Sequence, residues 1–182
     1  EGIPRRLVSN ARLVFQGSIV LGSGFVLDKE DGEALIRQDA KNAEVVLPYM
    51  NGEDLNSRPR ADASRMVIDF RARNLSEAAD YPLPFERVQA LVQPERQRKK
   101  PDGSFVLRKP LPERWWQYAE KRPGLYSAIQ ELDFVVALTL VSRTVMPVRV
   151  QARQVFSHAL GIFATDDYAD LAFLSSTPHQ AW

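Results

Sequence analysis

The chain has 182 residues, 45% of them apolar and 26% charged, with a net charge of +1 and no cysteine. That is the profile of a globular domain long enough to bury its own core, and it excludes disulfides and thiolate metal sites. No stretch approaches the roughly 20 consecutive apolar residues that a membrane-spanning helix needs, and no apolar segment follows Glu1-Gly2-Ile3-Pro4-Arg5-Arg6 as in a signal peptide. A reducing cytoplasm is therefore the expected location. The opening on Glu1 and the stop at Ala181-Trp182 read as a piece of a longer chain.

In chain order, Ala11–Phe15 and Ser18–Leu21 are predicted strands around Gln16-Gly17, and Gly24–Leu27 a third after a glycine break. Asp28 is placed to cap a short helix through Gln38, with Ala34, Leu35 and Ile36 as its apolar contacts. Leu47–Asp54 reads as a loop and Arg58–Ser64 as a polar connection. Arg65–Phe70 reads as a strand with Met66, Ile68 and Phe70 on one side. Phe85, Val88, Leu91 and Val92 have helical spacing, which Pro94 and the run Glu95–Pro101 interrupt. Residues 95–105 are expected to form a mobile basic loop with its tip at Lys99–Ser104. A second helical region is predicted from Glu113 to about Leu132, split by Pro123, with Leu125, Ile129 and Leu132 as its apolar stripe. Phe134–Val141 is a continuous apolar run of strand length, hence a buried central strand. In Val148–Arg153 the alternation puts Arg149, Gln151 and Arg153 on one face and Val148, Val150 and Ala152 on the other. Ala159–Ala164 is another strand, and Asp166-Asp167 open a terminal helix through about Leu174. Strands and helices intermix without regular alternation, which predicts a single α+β domain over 1–182, a mixed or antiparallel sheet with packed helices.

Charge is unevenly distributed. Between Arg87 and Arg114 there are eight basic residues against three acids, a net +5, and from Phe134 to Thr165 there is no acid at all. A polyanion would meet a favourable face, and ordinary clustering on a solvated surface gives the same pattern.

Catalytic chemistry is hard to assemble from these residues. The two histidines, His158 and His179, have no nucleophile motif nearby and no metal-ligand spacing. Gly22-Ser23-Gly24 lacks the third glycine of a dinucleotide site, and a bulge or tight turn explains it better. Asn51-Gly52-Glu53-Asp54 is weak as a carboxylate site. Trp115-Trp116, with Tyr118 and Tyr126, fits core packing better than a stacking platform for single strands, and His158 fits a core hydrogen bond better than a DNA contact. Recognition chemistry is better represented. Arginine pairs bidentately with guanine and glutamine with adenine, so Arg149, Gln151 and Arg153 in a row have the side chains of a base-reading strand. A strand with a solvated outer face is the equal alternative, and a plain surface turn is the alternative for Ser142-Arg143-Thr144.

The order and spacing of five segments carry a resemblance. They are Phe15-Gln-Gly-Ser-Ile19, Leu47-Pro-Tyr-Met-Asn-Gly-Glu-Asp-Leu-Asn56, Met66-Val-Ile-Asp-Phe70, Glu113-Arg-Trp-Trp-Gln-Tyr118 with Arg122, and Val141-Ser-Arg-Thr-Val-Met-Pro147 before the strand ending at His158. Together they resemble the target-recognition domain of class I N6-adenine DNA methyltransferases, and more narrowly the MmeI-like single-chain type II restriction–modification enzymes. The resemblance implies a parent enzyme that uses S-adenosylmethionine and flips an adenine out of the duplex, with a nuclease fused in some members. It also implies that this region binds double-stranded DNA and selects the sequence beside an upstream methyltransferase domain of the same chain. The methylase hallmarks F-x-G-x-G and N-P-P-[YFW] do not occur here, so catalysis and cofactor binding are expected upstream of Glu1. By the family pattern the base-reading residues are Ser142, Arg143, Thr144 and Met146, to which the strand argument adds Arg149, Gln151 and Arg153. The basic cluster supplies the expected phosphate contacts: Arg96, Arg98, Lys99, Lys100, Arg108 and Lys109. The readings from other classes are a protein-interaction or scaffolding domain with an incidental basic face, and a catalytic fragment such as a nuclease.

Overall fold

The computed structural model describes residues 12–142 and 145–176. These divide into two compact units. One gathers the described residues up to Gly17 with Asn51–Asp62 and those from Arg122 onward, and the other comprises Ser18–Met50 and Ala63–Lys121. The fold is α+β, and within each unit the paired strands described below run antiparallel.

The first unit is built on a four-stranded sheet. Strands β1 (Val14–Gln16), β5 (Phe134–Thr139), β6 (Val148–Gln151) and β8 (Leu160–Phe163) lie in the order β1-β8-β5-β6. The apolar run from Phe134 is thus an interior strand, because continuous burial suits a position with neighbours on both sides. Register fixes the faces. Val135 opposite Val150 and Ala137 opposite Ile162 are buried on the inner face, whereas Val136 opposite Arg149 and Phe134 opposite Gln151 belong to the outer one. Helix α6 (Pro123–Ile129) begins at Pro123 and buries Leu125 and Ile129. Helix α7 (Tyr168–Leu174) is capped by Asp167, whose side chain accepts from the Ala169 amide at 2.8 Å. Short strand β7 (Val155–Phe156) is fully buried.

One correction falls in this unit. Asn51–Asp54 is no loop but the start of helix α2 (Gly52–Ser57). Asn51 Oδ1 accepts from the Glu53 and Asp54 amides at 2.7 and 3.0 Å, and Asp54 Oδ2 accepts from the Asn51 amide at 3.1 Å. This reciprocal capping box occupies the carboxylate that had the look of a ligand.

In the second unit, β2 (Val26–Asp28), β4 (Arg65–Ile68) and β3 (Val46–Met50) pair in the order β2-β4-β3. Leu47–Met50, whose Pro and Tyr suggest a loop, is therefore strand. Helix α1 (Lys29–Gln38) starts at the expected place after Asp28, although Asp28 makes no side-chain capping bond. It approaches the sheet through Gly32, where a Cβ would fall 2.5 Å from the Met66 sulfur, so only glycine permits this packing. Helices α3 (Leu75–Ala79), α4 (Pro82–Leu91) and α5 (Gln93–Arg96) follow. Glu113–Gln117 forms turns rather than the expected helix. The tryptophans do pack: Trp115 and Tyr118 are buried, Trp116 Nε1 donates to Arg73 O at 3.0 Å, and the Tyr118 hydroxyl donates to Ile68 O at 2.9 Å.

Asp69 follows β4 in this core, and burial pushes its carboxyl above the ordinary aspartate range. The Arg71 amide, donating at 2.8 Å, and the charges of Arg71, Arg73 and Lys121 oppose that shift only in part. A folded-state pKa above the unfolded one means that the unfolded chain binds fewer protons through this window. Stability is therefore lost as pH rises from the ordinary aspartate value through the raised one. Asp69→Asn keeps an acceptor for Arg71 and removes the ionisation. Urea titrations from pH 3 to 8 are expected to show the variant gaining on the parent chain as pH rises; a constant difference would show that Asp69 is not strained.

Candidate nucleic-acid interface

The two groups of residues singled out for recognition fall in different units. The described base-reading residues lie on β6 and beside it, and the phosphate group runs from Arg96, the last residue of α5, into the segment that follows.

The β5–β6 pairing ends at Ala137–Val148. Between these strands Ser142 and Met146 are exposed, while Arg143 and Thr144 lie outside the described residues. β6 ends at Gln151, two residues short of the expected strand, but the alternation of burial continues past it, with Val150 and Ala152 buried and Gln151 and Arg153 exposed. Arg153 meets Asp133 at 3.6 Å with both side chains largely in water, a contact that adds little and can be exchanged for another partner.

Arg149 differs from its neighbours in the row. Its guanidinium lies 3.6 Å from the Phe134 ring centroid and 4.9 Å from that of Tyr168. Its Nε is buried without a hydrogen-bond partner. Stacking against two rings holds this side chain against the outer sheet face, so it is not presented freely as a base-reading arm. Neither Phe134 nor Tyr168 stands out as a site residue in the sequence. For Phe134 the signal is register, since it opposes Gln151 and is the diagonal neighbour of Arg149. His158, expected in the core, is exposed, and its carbonyl accepts from Gln16 Nε2 at 2.8 Å.

The phosphate group divides more sharply. Arg98, Lys99, Lys100, Arg108 and Lys109 are exposed. The first three sit on a tight hairpin in which Val106 N donates to Arg98 O at 2.9 Å and Lys100 N to Ser104 O at 2.8 Å. Gly103, at φ +82°, makes its turn. Asp102 accepts from the Ser104 hydroxyl and amide, which holds its carboxyl below the ordinary range. Lys99 lies over the Phe105 ring at 5.7 Å and Lys109 meets Glu113 at 3.1 Å. The segment expected as a mobile basic loop carries these backbone hydrogen bonds.

Arg96 is the correction. It is 1% exposed, the largest fully buried side chain among the described residues, and it presents nothing to a phosphate. Nη1 donates to Gln117 O at 2.5 Å and to Arg114 O at 3.4 Å; Nη2 donates to Leu21 O at 2.6 Å and Val20 O at 3.0 Å. Burial lowers its pKa to about 10, leaving it protonated at neutral pH. A cation amid carbonyls is a structural pin.

Among the described residues no group of three or more His, Asp or Glu is arranged to hold a metal, and no helix is long and apolar enough to cross a membrane.

No protein-family model and no curated protein matches the chain. Among solved structures it is similar to the type IIL restriction-modification enzyme MmeI, determined in complex with DNA, with a TM-score of 0.67 at 15% identity over 93% of this chain. The chain spans 21% of that enzyme's length. At this identity the likeness is one of fold.

Proposed function

We propose that this chain is a target-recognition module for double-stranded DNA, part of a restriction–modification enzyme that methylates adenine with S-adenosylmethionine through an upstream domain. The observation that carries the reading is the fold shared along nearly the whole chain with an enzyme determined on DNA. The order of the sequence segments, the exposed basic hairpin and the acid-free stretch from Phe134 to Thr165 support it. In this reading Arg98, Lys99, Lys100, Arg108 and Lys109 position the duplex through its phosphates, and Gln151 and Arg153 read base edges together with Ser142, Arg143, Thr144 and Met146. Arg149 positions the strand through its stack. The chain supplies recognition, and the chemistry belongs to the parent.

Selection of duplexes from a random library by the chain tests this. An enriched motif is expected, and Gln151→Ala or Arg153→Ala should flatten it at one base pair, by roughly 1–3 kcal/mol of discrimination, leaving the other positions intact. Val150→Ala, which trims a buried side chain, should lower stability without changing the motif. A chain that enriches no motif and binds no duplex would instead be a protein-interaction domain with an incidental basic face.

A further inference from the structure

Helix α2 presents side chains that the recognition reading above does not use. Its inward side buries Asp54 and Leu55, and its outward side exposes Glu53, Asn56 and Ser57. The helix is held without these three. The Asn51–Asp54 capping box closes its start, and it lies so near β5 that a Cβ on Gly52 would fall 3.2 Å from Thr139 Cγ2.

Asn56 differs from the other two. Thr139, the last residue of β5, donates its hydroxyl hydrogen to Asn56 Oδ1 at 3.1 Å. The Asn56 Nδ2 hydrogens have no partner among the described residues. A hydrogen bond exposed to water adds little to stability, but this one fixes the direction in which the amide points. Oδ1 keeps a second lone pair and Nδ2 both of its donors, so the amide retains the acceptor and donor that match N6 and N7 of adenine in the major groove. Holding it in place beforehand reduces the side-chain freedom lost on binding. Charge separates base edges from phosphates as its target. Glu53, one turn earlier on the same exposed side, carries a carboxylate that repels phosphate and accepts from cytosine N4. Arg58, just past the helix, is engaged by Asp62 at 2.8 Å.

We propose that Asn56 reads an adenine edge in the bound duplex and that Thr139 positions it. This rests on the DNA-recognition reading and adds to it a reader on α2, beside the segment that begins at Ser142, three residues after Thr139.

Selection from a random duplex library is run with the chain and with Asn56→Ala, Thr139→Val and the two together. Thermal midpoints verify that each variant folds, and Thr139→Val removes the hydroxyl while keeping the shape of the side chain. Asn56→Ala is expected to flatten the motif at one A·T pair, with discrimination there falling about tenfold or more and the other positions intact. The salt dependence of binding should stay as in the parent chain, because no charge is removed. Thr139→Val should weaken discrimination at the same base pair by a smaller factor. The double variant should match Asn56→Ala alone, since Thr139 acts only through the amide it holds. A parental motif that Asn56→Ala leaves unchanged overturns the assignment of Asn56 and leaves the recognition reading standing. Uniform weakening across all sequences with a shallower salt slope makes α2 a backbone contact and overturns it as well. Effects of the two substitutions that add in full, or that fall on different base pairs, overturn the positioning role of Thr139. A parent chain that enriches no motif overturns the recognition reading and the adenine reader with it.

Discussion

Arg96→Ala is expected to destabilise the chain by about 3–5 kcal/mol, enough to unfold a domain of ordinary stability at moderate temperature. The magnitude follows from what the side chain leaves behind. Its two terminal nitrogens satisfy the carbonyls of Val20, Leu21, Arg114 and Gln117, which come from two separate stretches of the second unit. Alanine leaves these acceptors without their donor and opens a cavity beside the Phe25 ring, over which the guanidinium lies at 5.2 Å. Each buried acceptor left unsatisfied costs about 1–3 kcal/mol. Arg96→Lys preserves the charge but brings three donors on one atom, which cannot reach carbonyls on both sides as the planar fork does, so an intermediate loss is expected. Denaturant midpoints of the two variants measure this. A lysine variant as stable as the parent chain would show that the charge matters and the fork does not. Stability of the alanine variant within about 0.5 kcal/mol of the parent would refute the pin altogether.

Arg96 also marks the boundary between what is legible in the sequence and what is not. In the run from Arg96 to Lys100 four of five residues are basic, and nothing in the composition separates the first from the rest. Periodicity does separate it. Val88, Val92 and Arg96 follow one another at intervals of four, all three are buried, and the amides of Val92 and Arg96 bond back to the carbonyls of Val88 and Val92. Pro94 suggests an end to that stripe, yet it stands in the first turn of α5, where a missing amide costs nothing. Elements with a strong period and clear ends are legible: β5 by its apolar run, β6 by alternation, α1 and α7 by Asp28 and Asp167. Segments whose signal is local and reciprocal are not, as with the Asn51–Asp54 capping box. The Trp115–Tyr118 stretch misleads as to form and not as to role. Its side chains seek the core whether the backbone is helical or turning, since burial depends on what they touch rather than on how the chain brings them there. The outer face of β6 is legible as a face, but the stacking of Arg149 depends on Tyr168, far along the chain, and no local pattern signals that pairing.

With Arg96 removed from the phosphate group, the electrostatic attraction rests on the exposed side chains of the hairpin, and its expected size becomes definite. Replacing Arg98, Lys99 and Lys100 together by alanine should make the dependence of log affinity on log salt shallower by about 2.7, at roughly 0.9 for each phosphate no longer neutralised. At salt near 0.1 M the same triple replacement should weaken duplex binding by about 10²–10³-fold. The effect should be uniform across sequences, because a phosphate carries no base identity. Arg108→Ala should add a comparable increment, whereas Lys109→Ala should add less, since Lys109 already faces Glu113 at 3.1 Å and exchanges one carboxylate for one phosphate. The hairpin itself should survive. Its turn depends on Gly103 and on the Asp102–Ser104 bonds rather than on the basic side chains, so thermal midpoints are expected to stay within about a degree or two. Anisotropy titrations between about 50 and 200 mM salt measure the slope. A triple variant that keeps the parental slope would place the phosphate contacts elsewhere. One that keeps the slope yet no longer enriches a motif would reverse the assignment, making the hairpin the reader and the β6 face the clamp.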